Sequence, residues 1–311
     1  MTSIKIGSRK SKLAMWQTET VAAKLQQYGI ETFVSSMETK GDKMLDTTIA
    51  KIGSKGVFTE ELEQQLASGA TDIAVHSAKD MQSSLPEGFS LIAFTEREQV
   101  NDVLISTDPG IDIDDVSRKL RIGTSSVRRV AMLKHFYPHL KTVEMRGNLQ
   151  TRIEKMKNGT CDALMLAYAG VKRMGYDDMI VKIFPESDFI PPVGQGCIAV
   201  EASDTLAQDK KEMIRSCLNN KQSELCLIAE RAFLKRLEGG CSIPAFALAT
   251  LVGSQITLTG GLAALDGSKI LKKHLIGPDS SAEKLGQELG DFILDHGGRQ
   301  MLEQIKTTQA P

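Results

Sequence analysis

No run of about 18 apolar residues occurs anywhere in the 311-residue chain, so no helix is expected to span a bilayer. The N-terminal MTSIKIGSRKSK also lacks the apolar stretch of a secretory signal, and the chain is expected to stay where it is made, with no membrane partner. Net charge is nearly absent: 38 Lys and Arg against 39 Asp and Glu leave −1 at neutral pH. That is too little to draw nucleic acid or an anionic surface, so any bound anion must be held by a local cluster. Cys161, Cys197, Cys217, Cys226 and Cys241 are odd in number and include no CxxC pair. This argues against a disulfide framework and a zinc site and fits a reducing cytoplasm. His135 and His139 are four apart, but Pro138 breaks the helix that would align them, and no metal is expected.

What is present is an ordinary globular mixture, 41% hydrophobic and 25% charged, long enough for two or three domains. Residues 4–8 alternate as a strand, and Leu13, Trp16, Val21, Leu25 and Tyr28 follow at helical spacing until Gly29. A strand is expected over 32–37, a helix over 59–68, and strands over 72–75 and 90–94. The alternation starts again with a strand over 120–122, a helix over 126–136, a strand over 142–145, a helix over 148–157 and a strand over 163–166. GATDIAV, ending at Val75, parallels GTCDALM, ending at Met165, about ninety residues later, which indicates an internal duplication. Polar segments 95–101 and 185–196, the second rich in Pro and Gly, read as linkers crossing twice between two similar α/β lobes, and such crossings enclose a ligand crevice. After a long helix over 221–237, alternating segments such as 257–262 and a helix over 282–294 predict a small third α/β domain.

LRIGTSSVRR places Gly123, Thr124, Ser125 and Ser126 between a strand and a helix, where backbone N–H groups and hydroxyls suit an anion. Arg128 and Arg129 follow in the first helical turn, where cations oppose the helix dipole and call for a compensating anion. Arg146 is read at a strand end, Arg152 on the first turns of a helix capped by Asn148, Arg173 at the end of the next helix, and Arg9 at the end of the first strand. Strand carboxyl ends in α/β sheets open onto the crevice, so these guanidiniums can grip a ligand with several carboxylates. Surface ion pairs are the alternative for Arg152 and Arg173. HSAKD sets Ser77, Lys79 and Asp80 at another strand end, with Asp80 the lone carboxylate among cations, suited to steadying positive charge or moving a proton. The alternative there is a helix cap with Lys79 on the surface, and His76 reads as a packed strand histidine. KIGSKG brings Lys51 and Lys55 on glycine-flanked backbone that can close over an anion. Cys241, following two glycines at a helix end, is open to close approach and can act as a nucleophile, although inert packing is the commoner fate of an isolated cysteine.

Seven motifs in order, IGSRKSKLA, KIGSKGVFTEEL, DIAVHSAKD, GTSSVRR, RGNLQTR, PPVGQG and ERAFLKRLEGGC, make the whole chain resemble the porphobilinogen deaminase family, also called hydroxymethylbilane synthases. The resemblance implies a three-domain α/β fold: two lobes like those of periplasmic binding proteins joined by a double hinge, and a small C-terminal α/β domain. Domain 1 is expected over 1–96 and 197–216, domain 2 over 101–190 and domain 3 over 220–311. It further implies that Cys241 carries a dipyrromethane cofactor through a thioether, and that this primer receives four porphobilinogen units before a linear tetrapyrrole is released. Loss of ammonia from porphobilinogen leaves an azafulvenium cation, and the family pattern sets Asp80 against the pyrrole nitrogens. A fixed carboxylate is what such a cation needs. Arg9, Lys51, Lys55, Ser77, Lys79, Thr124, Ser125, Ser126, Arg128, Arg129, Arg146, Gly147, Arg152, Arg173 and Gln195 are implied as cofactor or substrate ligands. A cytoplasmic monomer is expected. Met81, Gln82, Cys197 and the pair Ala245 and Phe246 depart from the family pattern, and Cys197 is a candidate second oxidisable thiol near the hinge, its role left open by the sequence. A non-catalytic two-lobed binding protein for a small polycarboxylate is the competing reading, and it leaves Cys241 and Asp80 without a task.

Overall fold

The computed structural model describes residues 3–43, 59–240 and 242–309. The first lobe begins with β1 (Ser3–Arg9), α1 (Lys12–Gln27) and β2 (Glu31–Met37), and continues through α2 (Glu60–Ala67), β3 (Ile73–Ser77) and β4 (Phe89–Phe94). Residues 95–101 then lead to the second lobe. It holds β5 (Asp102–Ile105), β6 (Arg121–Gly123), α3 (Val127–Phe136), β7 (Lys141–Val143), α4 (Leu149–Lys157), β8 (Ala163–Ala167), α5 (Tyr168–Arg173) and β9 (Ile180–Ile183). The chain returns to supply β10 (Ile198–Ser203) and α6 (Gln208–Leu218) to the first lobe. The C-terminal unit consists of α7 (Lys221–Arg236), β11 (Ala245–Val252), β12 (Gln255–Ala263), β13 (Ile270–Pro278), α8 (Ala282–Ile293) and α9 (Arg299–Gln309).

The two lobes share one topology. Their sheets run β2-β1-β3-β10-β4 and β7-β6-β8-β5-β9, and in each the fourth strand is antiparallel and is the first strand after a crossover. The duplication extends to single hydrogen bonds. Asp72 accepts from Lys5 N at 2.7 Å and returns its own N–H to Lys5 O at 2.8 Å, while Asp162 does the same with Arg121 at 2.7 and 2.9 Å. These are the aspartates of the repeated GATD and GTCD tracts. Each tract opens with a left-handed glycine, Gly69 at φ 70° and Gly159 at φ 79°, that stops the preceding helix.

Side-chain caps fix the starts of α1, α3, α4 and α7: Ser11 accepts from Ala14 N, Ser126 from Arg129 N, Asn148 from Thr151 N and Asn220 from Ser223 N. The apolar spacing of α1 sets Val21, Ala22 and Leu25 against Ile4, Ile6, Ile73 and Val200 of the first sheet. One strand is shorter than expected. β7 stops at Val143 because Met145 N is taken by Ser125 Oγ at 2.9 Å, so Arg146 lies on the loop beyond the strand.

The family departures are absorbed by packing. Met81 and Cys197 share a buried cluster with Ala78, Phe94, Ala199 and Leu227, and Phe246 is fully buried against the second lobe's core. Cys197 is therefore a correction. It is 1% exposed and burial pushes its thiol up to about 11, so it remains a protonated packing group rather than an oxidisable thiol.

In the C-terminal unit, α7 and α8 cover one face of the three-stranded sheet, and their backbones meet at Gly286, where a Cβ would lie 2.1 Å from Ala229 O. No side-chain rotation relieves a clash with backbone. Gly286→Val should therefore destabilise the protein by about 1–3 kcal/mol or more, read as a lowered denaturation midpoint with an unchanged slope.

Candidate active site

The cation-rich face forms where the lobes meet. β3 ends in a 3₁₀ turn, Ala78–Asp80, that carries Lys79 and Asp80 out of the first lobe. A small cavity of about 30 Å³, room for little more than one water, lies at this seam. Gln17, Ser77 and Lys79 line it from the first lobe, Ala169 and Arg173 from the second, and Gly196 from the returning crossover. A larger hollow of about 570 Å³ lies elsewhere, on the outer face of the C-terminal sheet near Thr257 and His274, with none of these groups in its walls.

Lys79 and Asp80 are half-buried. The Lys79 ammonium donates to Gln195 Oε1 at 3.3 Å, and among the described residues no carboxylate pairs with it. Burial, with Arg129 next in effect, lowers it to about 8, while Asp80 and Asp102 oppose the fall. Asp80 also acts on Arg152 of the second lobe, so the turn of one lobe and a helix of the other face each other electrostatically. Burial, followed by the charge of Arg129, brings Arg152 down to about 10, and its Nε donates to Gly147 O at 2.7 Å. That bond uses a backbone acceptor and leaves the guanidinium charge without a carboxylate among the described residues.

Arg128 and Arg129 differ from expectation. Both are buried, and the anion that their place at a helix N-terminus demands is Asp102. Asp102 Oδ2 accepts from Arg128 Nη2 at 2.6 Å, and Oδ1 accepts from Arg129 Nη2 at 2.8 Å and Nε at 3.1 Å. Burial pushes the Asp102 carboxyl up, but the two arginines outweigh it and hold it well below the usual carboxylate range. Asp80 is thus not the lone carboxylate near these cations. Arg128 Nε remains buried without a hydrogen-bond partner.

The remaining candidates divide. Arg146 pairs with Glu144 at 2.8 Å and is close enough to affect Arg152. Thr124 is buried, Ser125 and Ser126 hold backbone N–H groups of Met145 and Arg129, and Gly147 has φ 110° beside Thr151. Ser77 Oγ is 2.9 Å from the Gln17 amide. Arg173 donates to Gly196 O at 2.7 Å and lies over the Trp16 ring at 5.3 Å, which makes it a contact between lobes. Arg9 ends β1. His76 Nε2 lies 2.9 Å from Glu201 Oε2 in the sheet interior, as a packed histidine. Lys51, Lys55 and Cys241 lie outside the described residues, and Cys241 follows α7 between Gly240 and Ser242.

Sequence reading missed Asp102, Gln17 and the pairing role of Gln195. The one available signal for Asp102 was an acidic residue heading the otherwise apolar DVLI, since a charge leading a buried strand needs a partner.

Two family models match in tandem: "Porphobilinogen deaminase, dipyromethane cofactor binding domain" over residues 4–213 and "Porphobilinogen deaminase, C-terminal domain" over residues 224–295. The porphobilinogen deaminase of Desulfosudis oleivorans is 61% identical over 306 residues, 98% of this chain and 99% of its own. That of Cytophaga hutchinsonii is 53% identical over 304 residues, covering 98% and 97%, and that of Desulfitobacterium hafniense 45% over 309 residues, covering 99% of each. No helix among the described residues is long and apolar enough to cross a membrane. With both family models in register and this identity sustained along the whole chain, the chain belongs to the porphobilinogen deaminase family.

Proposed function

We propose that Asp80 is the catalytic carboxylate with which this chain, a transferase of tetrapyrrole biosynthesis, joins four porphobilinogen molecules head to tail into hydroxymethylbilane. The observation that carries the assignment is the position of Asp80, on the turn of one lobe and within electrostatic reach of Lys79 and of Arg152 in the other. As ammonia leaves porphobilinogen, positive charge spreads into the ring. A carboxylate fixed on a short turn meets that charge without reorganising, and its oxygens can accept from the pyrrole N–H.

The cations fit a dipyrromethane. Its acetate and propionate arms need several donors, and Lys79 and Arg152 are half-buried donors with no carboxylate of their own among the described residues, while Arg128, paired with Asp102 through Nη2, keeps its buried Nε unpartnered. When bound, the dipyrromethane supplies the free pyrrole carbon at which the chain grows. We assign its attachment to Cys241, reached from the end of α7, and the gripping of carboxylate arms to Arg9, Lys51, Lys55, Lys79, Arg128, Arg129, Arg146, Arg152 and Arg173. Ser77, Thr124, Ser125, Ser126, Gly147 and Gln195 shape the same face. We place the units at 1–96 with 197–216, 101–190 and 220–311, and take the protein to act as a cytoplasmic monomer that binds no nucleic acid.

Three outcomes test this reading. Intact-mass measurement should find the chain heavier by one dipyrromethane, and Cys241→Ser should weigh only its polypeptide. Asp80→Asn, assayed on protein whose mass includes the adduct, should lose about a hundredfold or more in kcat with a smaller change in KM. Lys79 should impose an alkaline limit. Its charge is present below about pH 8 and lost above, so KM for porphobilinogen should rise through that pH, and Lys79→Arg should flatten the profile. Unfolding does not account for such a rise. Between 8 and the ordinary 10.5, the unfolded chain binds more protons at this lysine than the native one, so its contribution to stability increases with pH.

A further inference from the structure

Asp102 heads β5, the first strand after the first crossover, and its side chain is wholly buried. Besides Arg128 and Arg129 it accepts from Gln195 Nε2 at 3.1 Å. Gln195 is itself fully buried in the second crossover. Its amide also donates to Val100 O at 2.7 Å, in the first crossover, and its Oε1 accepts from Lys79 Nζ of the first lobe. One carboxylate is thereby connected to two guanidiniums in its own lobe and, through a single amide, to an ammonium in the other.

We infer that Asp102 is a positioning residue for the carboxylate-binding face: it holds Arg128 and Arg129 in place and, by way of Gln195, keeps the Lys79 ammonium aimed and charged at the seam. A primary amide is polar at both ends. Because its N–H donates to the Asp102 carboxylate, its oxygen must face the donor on the other side, which fixes the direction of the lysine bond. Charge acts in the same sense. The groups that face Lys79 are Arg128, Arg129 and Asp102 from the second lobe, Asp80 from its own turn, and Gln195 and Arg173 at the seam. Burial and Arg129 favour loss of its proton, and Asp102 and Asp80 retain it. Asp80 must serve the reacting pyrrole, so Asp102 is the counter-charge that stays in place throughout. This inference rests on the reading of Lys79 as a carboxylate-binding group.

The test follows the Lys79 ammonium directly, by NMR titration of 15N-lysine-labelled holoenzyme, with its signal assigned by its loss in Lys79→Arg. Asp102→Asn should move the midpoint to lower pH by about one unit or more, and Arg129→Met should move it upward. The double variant restores the net charge of the cluster and should return the midpoint toward that of the unmodified protein, a reversal that general loosening of the fold would not produce. KM for porphobilinogen at pH 7.5 should rise about tenfold in Asp102→Asn with a smaller change in kcat. Should Asp102→Asn alone not fold, its effect is read in the Arg129→Met background, where it must still lower the midpoint. Equal midpoints with and without the Asp102 carboxylate overturn the inference. If the midpoints shift as stated but Lys79→Met leaves KM unchanged, the carboxylate-binding role of Lys79 fails instead.

Discussion

Gathering guanidinium and ammonium groups at one seam incurs desolvation and mutual repulsion, and in this chain the buried Asp102 carboxylate offsets both. Removing a single partner from such a buried set costs about 3–5 kcal/mol, because the remaining charges are left without a counter-ion. Arg128 and Arg129 sit in the first turn of α3, where the helix dipole adds to the repulsion, so their burial is tolerable only with a carboxylate in hydrogen-bond contact. The rest of the cation-rich face is arranged around this fixed core. Arg152 and Lys79 are the outward members, and they spend their hydrogen bonds on a backbone carbonyl and a neutral amide.

The crossovers carry the second constraint. Arg97, in the first, makes a two-pronged ion pair with Glu230 of α7 and donates through Nε to Gln195 O in the second. Glu230 is fully buried, and its oxygens also accept from Gly194 N and Ala249 N. The C-terminal unit therefore grips both strands of the connection with the same helix that leads to Cys241. Movement of the lobes must take place around that grip.

Much of this was legible in the sequence because the governing signals are local. Apolar spacing predicted α1, side-chain caps marked the starts of α3 and α4, and the tracts GATD and GTCD carried the duplication down to an equivalent aspartate bond in each lobe. Two four-residue strands, β5 and β9, escaped because so short a run shows no period and, unlike β6 and β7, neither leads into a capped helix. The site was legible in part. Two adjacent arginines at a helix start revealed that an anion was required, but not that a residue 26 positions earlier supplies it, since pairing across a sheet leaves no local trace. Arg146 was placed on a strand because its neighbours Thr142 and Val143 favour one. A serine hydroxyl from the preceding loop competes for the backbone and ends the ladder early.

Trp16 is the chain's single tryptophan, and the structure sets its indole beneath Arg173 across the junction of the lobes. An indole's emission responds to an adjacent positive charge and to water, so the protein carries its own optical gauge at the place where the lobes would part. Light absorbed at the red edge of the protein spectrum is reported from that one location. Any change in the seating of Arg173 over Trp16 is therefore readable without an attached dye.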